Sequence, residues 1–192
     1  MKSPMKFLAA AAVVAFAVPA IADKAASGVQ SGPEAGSRLG AFTVTKVTGA
    51  AEDGVSEGKK LCYRCRNGSR PQVVIFTRAT DGKVADLVKQ LDEEVSHHED
   101  DQLRVFVNVL DADESVAMQK AEKFAKTTGA KNVPFVVPTD FETGPKNYSI
   151  DDQAQVTITL ANNSTVEGSM AYDQADQLDV AAIIDRVESM LN

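Results

Sequence analysis

The sequence predicts an α/β fold, a mixed β-sheet flanked by helices. Three patterns predict it. "QVVIFT", Gln72 to Thr77, is a continuous apolar run, as expected of a strand covered on both faces. Val84, Leu87, Val88, Leu91 and Val95 recur at helical spacing before a second β-rich run, "LRVFVNV", so strand and helix alternate. "QVTITL" then alternates apolar and polar residues, and "ANNS" turns it back into a partner run, the pattern of a hairpin.

The elements follow in order. Ala41 to Val47 carries Phe42 and β-branched residues and predicts a strand. Thr48 to Gly58 is small and polar, a loop. After Gln72–Thr77, "RATDG" turns the chain into the helix of Val84 to Val95. Leu103 to Val109 predicts the next strand, and Asp113 can cap the helix after it. Val116, Ala117, Ala121, Phe124 and Ala125 form that helix's stripe, and Gly129 stops it. Val133 to Val137 is a short strand bounded by Pro134 and Pro138. Thr139 to Asp152 is mostly polar loop. Gln155–Leu160 and Thr165–Tyr172 form the hairpin. Asp176 followed by Asp179 resembles a capping box, and Val180, Ile183, Ile184, Val187 and Leu191 make the last helix amphipathic. Strands alternating with helices imply parallel pairing with right-handed crossovers; the hairpin adds antiparallel strands.

The first 22 residues read as an export signal. Lys2 and Lys6 precede the apolar run Phe7 to Val18, which is too short to span a bilayer, and Ala20-Ile21-Ala22 supplies a cleavage signal. The expected mature protein is periplasmic or secreted, without a stable membrane anchor. Asp23 to Gly40, rich in Gly, Ser, Ala and Pro, predicts a flexible linker, and residues 41–192 one domain. Removing the leader with its two lysines takes the net charge from −7 to −9. Such a surface excludes general nucleic-acid binding.

Against that acidity, Gly58 to Thr80 holds no Asp or Glu but carries Lys59, Lys60, Arg64, Arg66, Arg70 and Arg78. The same stretch contains both cysteines, Cys62 and Cys65, in "LCYRC". An exported C-x-x-C pair surrounded by cations can exchange disulfides, because cations favour the thiolate. It can equally be a permanent local staple. Zinc would need a second ligand pair, and adjacent His97 and His98 diverge by about 100° on a helix. No metal or other cofactor is therefore expected. Oligomeric state is not written in the sequence.

The element order resembles the thioredoxin-like superfamily, in its redoxin and peroxiredoxin-like branch. "QVVIFTR" is similar to the first core strand of that family, "LRVFVNVLDADES" to the second, and "QVTITLANNSTVEGSMAY" with "LDVAAIIDRVESML" to the closing hairpin and helix. "VPFVVPTD" and "NYSI" resemble the insertion redoxins carry before that hairpin. In the family the reactive cysteine follows the first core strand; here Thr77 to Gly82, "TRATDG", stands there without sulfur. Ordinary peroxidase activity is therefore not expected. The family's cis-proline before the hairpin is replaced by Asp152-Gln153-Ala154, while an alternative alignment gives that role to Pro134. The resemblance implies thiol–disulfide exchange with a protein partner, Cys62 attacking and Cys65 resolving, with Lys60, Arg64 and Arg66 tuning the thiolate. The alternative is a non-catalytic binding module on the same scaffold, with Cys62–Cys65 a structural disulfide.

Overall fold

The computed structural model describes residues 28–192, so the expected leader and the start of the expected linker lie outside the described residues. The strands are β1 (Val44–Thr48), β2 (Lys60–Leu61), β3 (Gln72–Thr77), β4 (Arg104–Val109), β5 (Phe135–Pro138), β6 (Val156–Asn162) and β7 (Thr165–Tyr172). The helices are α1 (Tyr63–Asn67), α2 (Gly82–His97), α3 (Glu114–Thr128) and α4 (Val180–Leu191). Short 3-10 turns lie at Lys146–Tyr148 and Ala175–Gln177.

The strands form one sheet in the order β2-β1-β5-β4-β3-β6-β7. β3, β4 and β5 run parallel; the remaining pairs are antiparallel, so the sheet is mixed as expected. β3 is paired along its whole length on both sides, and all six of its residues are buried. That double cover explains why its sequence is apolar throughout instead of alternating.

Alternate residues of the central strands face two different cores. Val73, Ile75, Val105 and Val107 pack beneath α2, α3 and α4. Val74, Phe76, Phe106 and Val136 point to the other face, against Tyr63, Tyr148 and Leu39. The long helices share one face because β3, β4 and β5 step in the same direction across the sheet. Right-handed crossovers then place α2 and α3 on the same side. The opposite face is left to α1, the turn at Tyr148 and extended chain.

That face also takes the segment whose composition predicts a flexible linker. From Ser31 onward the chain lies against the sheet. Ser31 Oγ meets Thr157 Oγ1 at 2.7 Å, Ser169 Oγ donates to the Pro33 carbonyl at 2.8 Å, and Leu39 is fully buried. A Cβ on Gly32 would fall 2.5 Å from Ser169 Cβ. Small residues are needed for this close approach, which composition alone reads as flexibility.

The helix termini follow local rules. Asp113 accepts from Ser115 N and Val116 N as the cap of α3, and Gly129 closes that helix with φ 66°. For α4 the cap is Asp179, which accepts from Ala182 N. Asp176, the expected start of a capping box, sits instead in the preceding 3-10 turn.

Phe124 joins α3 to the sheet and meets Phe135 edge-on, with ring centroids 5.3 Å apart. Replacing it with alanine removes this contact and leaves a cavity. Phe124→Ala is expected to lose about 3–5 kcal/mol of stability in urea unfolding.

Candidate functional site

β2 pairs with β1 at the sheet edge, matching Leu61 to Val44, and delivers the chain directly into α1. Five residues are too few to sustain a helix in water. Side-chain anchors supply what length does not. Cys62 is the N-cap, and its Sγ accepts from Cys65 N–H at 3.0 Å. Tyr63 is buried, with its ring stacked on Phe106 at a centroid distance of 5.8 Å. Its hydroxyl donates to Asp53 Oδ2 at 2.5 Å.

Asp53 is the hub of this anchor. Its Oδ1 accepts from Lys46 Nζ at 2.8 Å and from Val55 N at 2.7 Å, while its backbone carbonyl accepts from Arg66 Nη2. Lys46 is 1% exposed, and its ammonium also donates to the carbonyls of Ala50 and Val55. Three protons thus meet three acceptors, which a buried ammonium requires. Burial, and then the bond to Asp53, push the Tyr63 phenol well above its ordinary value.

Cys62 and Cys65 form a disulfide across one turn, with Cα atoms 5.2 Å apart. The two ends differ in access: Cys65 is exposed and Cys62 half-buried. The three expected tuning residues take separate directions. Lys60 is exposed on β2. Arg66 bonds the Asp53 carbonyl. Arg64 has Nε and Nη2 buried without partners, and its charge bears on the buried Tyr148 phenol. Among the described residues, the hydrogen bond at the disulfide comes from Cys65 N–H.

The chain leaving α1 is tied at the N-terminal end of β3. Gln72 Nε2 donates to the Gly68 carbonyl, and Asn163 N, in the β6–β7 turn, donates to the Ser69 carbonyl. Thr77 to Gly82 lies at the other end of β3, roughly 20 Å away along six residues of strand. There Thr77 Oγ1 is taken up by the Ala79 carbonyl and Arg78 reaches the Glu142 carbonyl among several carboxylates. Leu61, next to Cys62, pairs with Val44, and Val44 pairs with Pro138, the last residue of β5, so the strand leading into the disulfide aligns with the C-terminal end of β5 while the chain leaving α1 is tied to the start of β3. The Val133–Pro134 bond of the alternative alignment is trans, as are all described peptide bonds.

Elsewhere, His98 Nδ1 contacts Asp101 Oδ2 at 2.9 Å, and both histidines face Glu94. No group of three or more potential metal ligands occurs among the described residues.

Lys46 and Asp53 are the site residues that sequence reading misses. Lys46 shares strand parity with buried Val44 in "VTKVT", an inward lysine in a strand. That parity was the available signal. Asp53, within the small polar loop, carries none.

No family model matches this chain, and no curated protein is significantly similar to it. Solved structures are. A candidate thiol:disulfide interchange protein DsbE from Chlorobium tepidum superposes with TM-score 0.58 at 15% identity, covering 83% of this chain and 99% of that one. AhpC from Mycobacterium tuberculosis gives 0.59 at 10%, covering 83% and 98%. The peroxidoxin BcpB from the same organism gives 0.57 at 12%, covering 83% and 96%. The fold is thus thioredoxin-like, with its likeness on the redoxin and peroxiredoxin side.

Two outcomes test the anchor. Asp53→Ala strands the Lys46 ammonium and is expected to destabilise the protein by about 3–5 kcal/mol in denaturant melts. The Tyr63 phenol has a raised pKa in the folded state, so its contribution is present below about pH 10 and lost as pH rises beyond it. Alkaline titration of phenolate absorbance should show Tyr63 ionising only with unfolding. Ionisation near pH 10 in the intact fold contradicts the anchor.

Proposed function

We propose that this is an exported thiol–disulfide exchange protein acting through Cys62 and Cys65 on a protein partner. The observation that carries the reading is a disulfide with one exposed residue, Cys65, on a helix anchored through Tyr63 to Asp53. The expected leader supports an oxidising compartment, where such a bridge forms and persists. The likeness to a candidate thiol:disulfide interchange protein is consistent with it.

The chemistry divides between the two sulfurs by access. A partner thiolate attacks Cys65 Sγ, the S–S bond breaks, and Cys62 leaves as a thiolate that takes a proton from solvent. Cys65 N–H is already directed at Cys62 Sγ and stabilises that developing charge. A second partner thiol, as thiolate, then attacks the partner sulfur of the mixed disulfide and releases Cys65. The partner gains a disulfide and loses two electrons; the Cys62–Cys65 pair gains them. The reverse sequence reduces a partner disulfide. The family resemblance gives the attacking role to Cys62; the exposures favour Cys65 as the partner-facing sulfur and Cys62 as its resolving mate. Lys60, Arg64 and Arg66 act on the thiolates through their field.

Thiol trapping in glutathione buffers tests this. The expected result is reversible exchange with a midpoint between roughly −180 and −270 mV. Cys62→Ser should still capture a partner disulfide as a mixed disulfide through Cys65, releasing one partner thiol, and Cys65→Ser should capture it several-fold more slowly. A bridge that stays closed down to about −300 mV, without insulin reductase activity, overturns the proposal and favours a non-catalytic binding module.

A further inference from the structure

A cleft of about 470 Å³ opens beside α1, between the loop after β1, the start of β4 and the chain entering β5. Tyr63 and Arg66, both within or next to the cysteine pair, line it. So do Arg70, Arg104 and Lys131, which converge from three separate parts of the chain. Among the described residues, none of these four cations forms an ion pair to a carboxylate within 4.0 Å. Their bonds go to neutral groups: Arg66 to the Asp53 carbonyl, Arg70 to Gln102 and two carbonyls, and Arg104 to the Leu103 carbonyl.

The arrangement is unfavourable for the isolated fold. Burial lowers the Arg104 guanidinium, and the charge of Arg70 lowers it further, so two like charges face each other. Of the acidic lining residues, Asp53 is neutralised by Lys46, and Glu52 is exposed. The whole chain has net charge −7, and acidic side chains were available to compensate this corner. A cleft with an excess of cations in a protein of net negative charge attracts an anion.

We infer that this cleft is a docking site for a carboxylate-rich peptide segment of the partner protein, adjacent to the partner cysteine that meets Cys65. The inference rests on the exchange reading for the identity of the partner. A peptide fits because the exchange reaction presents a polypeptide at Cys65, and the cleft begins at the next residue, Arg66. Carboxylates along that segment meet the guanidiniums as charge-assisted, bidentate hydrogen bonds. The acidic protein surface outside the cleft repels a nucleic acid.

Binding and exchange are measured separately on the mature protein with intact disulfide. The first probe is a short Glu-rich peptide without cysteine, compared with its Gln analogue. The expected result is binding of the Glu peptide alone, weakened by salt and reduced roughly tenfold in the Arg70→Gln/Arg104→Gln variant. The charge-matched control Lys123→Gln/Lys126→Gln, whose sites do not line the cleft, should leave binding unchanged. The second probe carries one cysteine in each peptide, and the Glu version should form the mixed disulfide roughly tenfold faster or more. Equal behaviour of Glu and Gln peptides in both assays overturns the inference even if exchange occurs. Inorganic phosphate displacing the peptide at comparable concentration overturns the assignment to a peptide. Selective binding of the cysteine-free Glu peptide to a protein whose bridge never exchanges keeps the cleft and removes the exchange reading.

Discussion

The hydrogen-bonded set Lys46–Asp53–Tyr63 is the constraint on which the site depends. Each member comes from a different piece of chain: Lys46 from β1, Asp53 from the following loop, and Tyr63 from α1. An ammonium that is 1% exposed is tolerable only with its protons accepted, and here two carbonyls and one carboxylate oxygen accept them. Satisfying Lys46 therefore folds the 50–55 loop around it. The folded loop presents Asp53 Oδ2 to Tyr63, and Tyr63 fixes α1 on Phe106. The placement of the helix that carries the disulfide follows from the burial of that charge.

This dependence explains how a thioredoxin-like chain can carry its sulfur in a short helix ahead of β3 instead of in the turn after it. At the C-terminal ends of β3 and β4 the fold itself makes a site, because a strand passes there into a long helix whose N-terminus is exposed. Ahead of β3 no long helix begins. The chain builds a local support instead: a two-residue strand pairing with β1, a single turn of helix, and a polar hub beneath. The face available for it is the one that α2, α3 and α4 leave uncovered, since those helices share the other core.

The sequence shows what periodicity can carry. Strands β3, β4 and β6 are buried almost throughout, and helices α2, α3 and α4 each bury a regular stripe; apolar runs and stripes are both legible. So was the cysteine pair, and so was its position before β3. Illegible were features whose cause is tertiary. α1 has no period to read in five residues, and its stability comes from Tyr63, whose partner lies ten positions earlier. Ser31 to Gly40 has the composition of a linker, and its small residues serve a close approach to Ser169 and Thr157. The uncompensated corner at Arg70, Arg104 and Lys131 is dispersed over more than sixty residues of chain, and only the parallel pairing of β3 to β4 to β5 gathers it.

The anchor also bears on what happens when the bridge opens. A disulfide closing so short a loop contributes only about 2 kcal/mol through the chain entropy of the unfolded state. α1 is independently tied by the Tyr63 hydroxyl and ring, by Arg66 at the Asp53 carbonyl, and by Gln72 at the Gly68 carbonyl. None of these contacts involves sulfur. The helix therefore keeps its place in the dithiol state, and Cys62 and Cys65 stay one turn apart. Sulfurs held at that separation have a high effective concentration toward each other, so closing the ring needs little new ordering. A loop organised by the disulfide alone would lose that geometry on reduction. Here the support lies in Lys46 and Asp53, so the site that carries the bridge does not depend on the bridge for its shape.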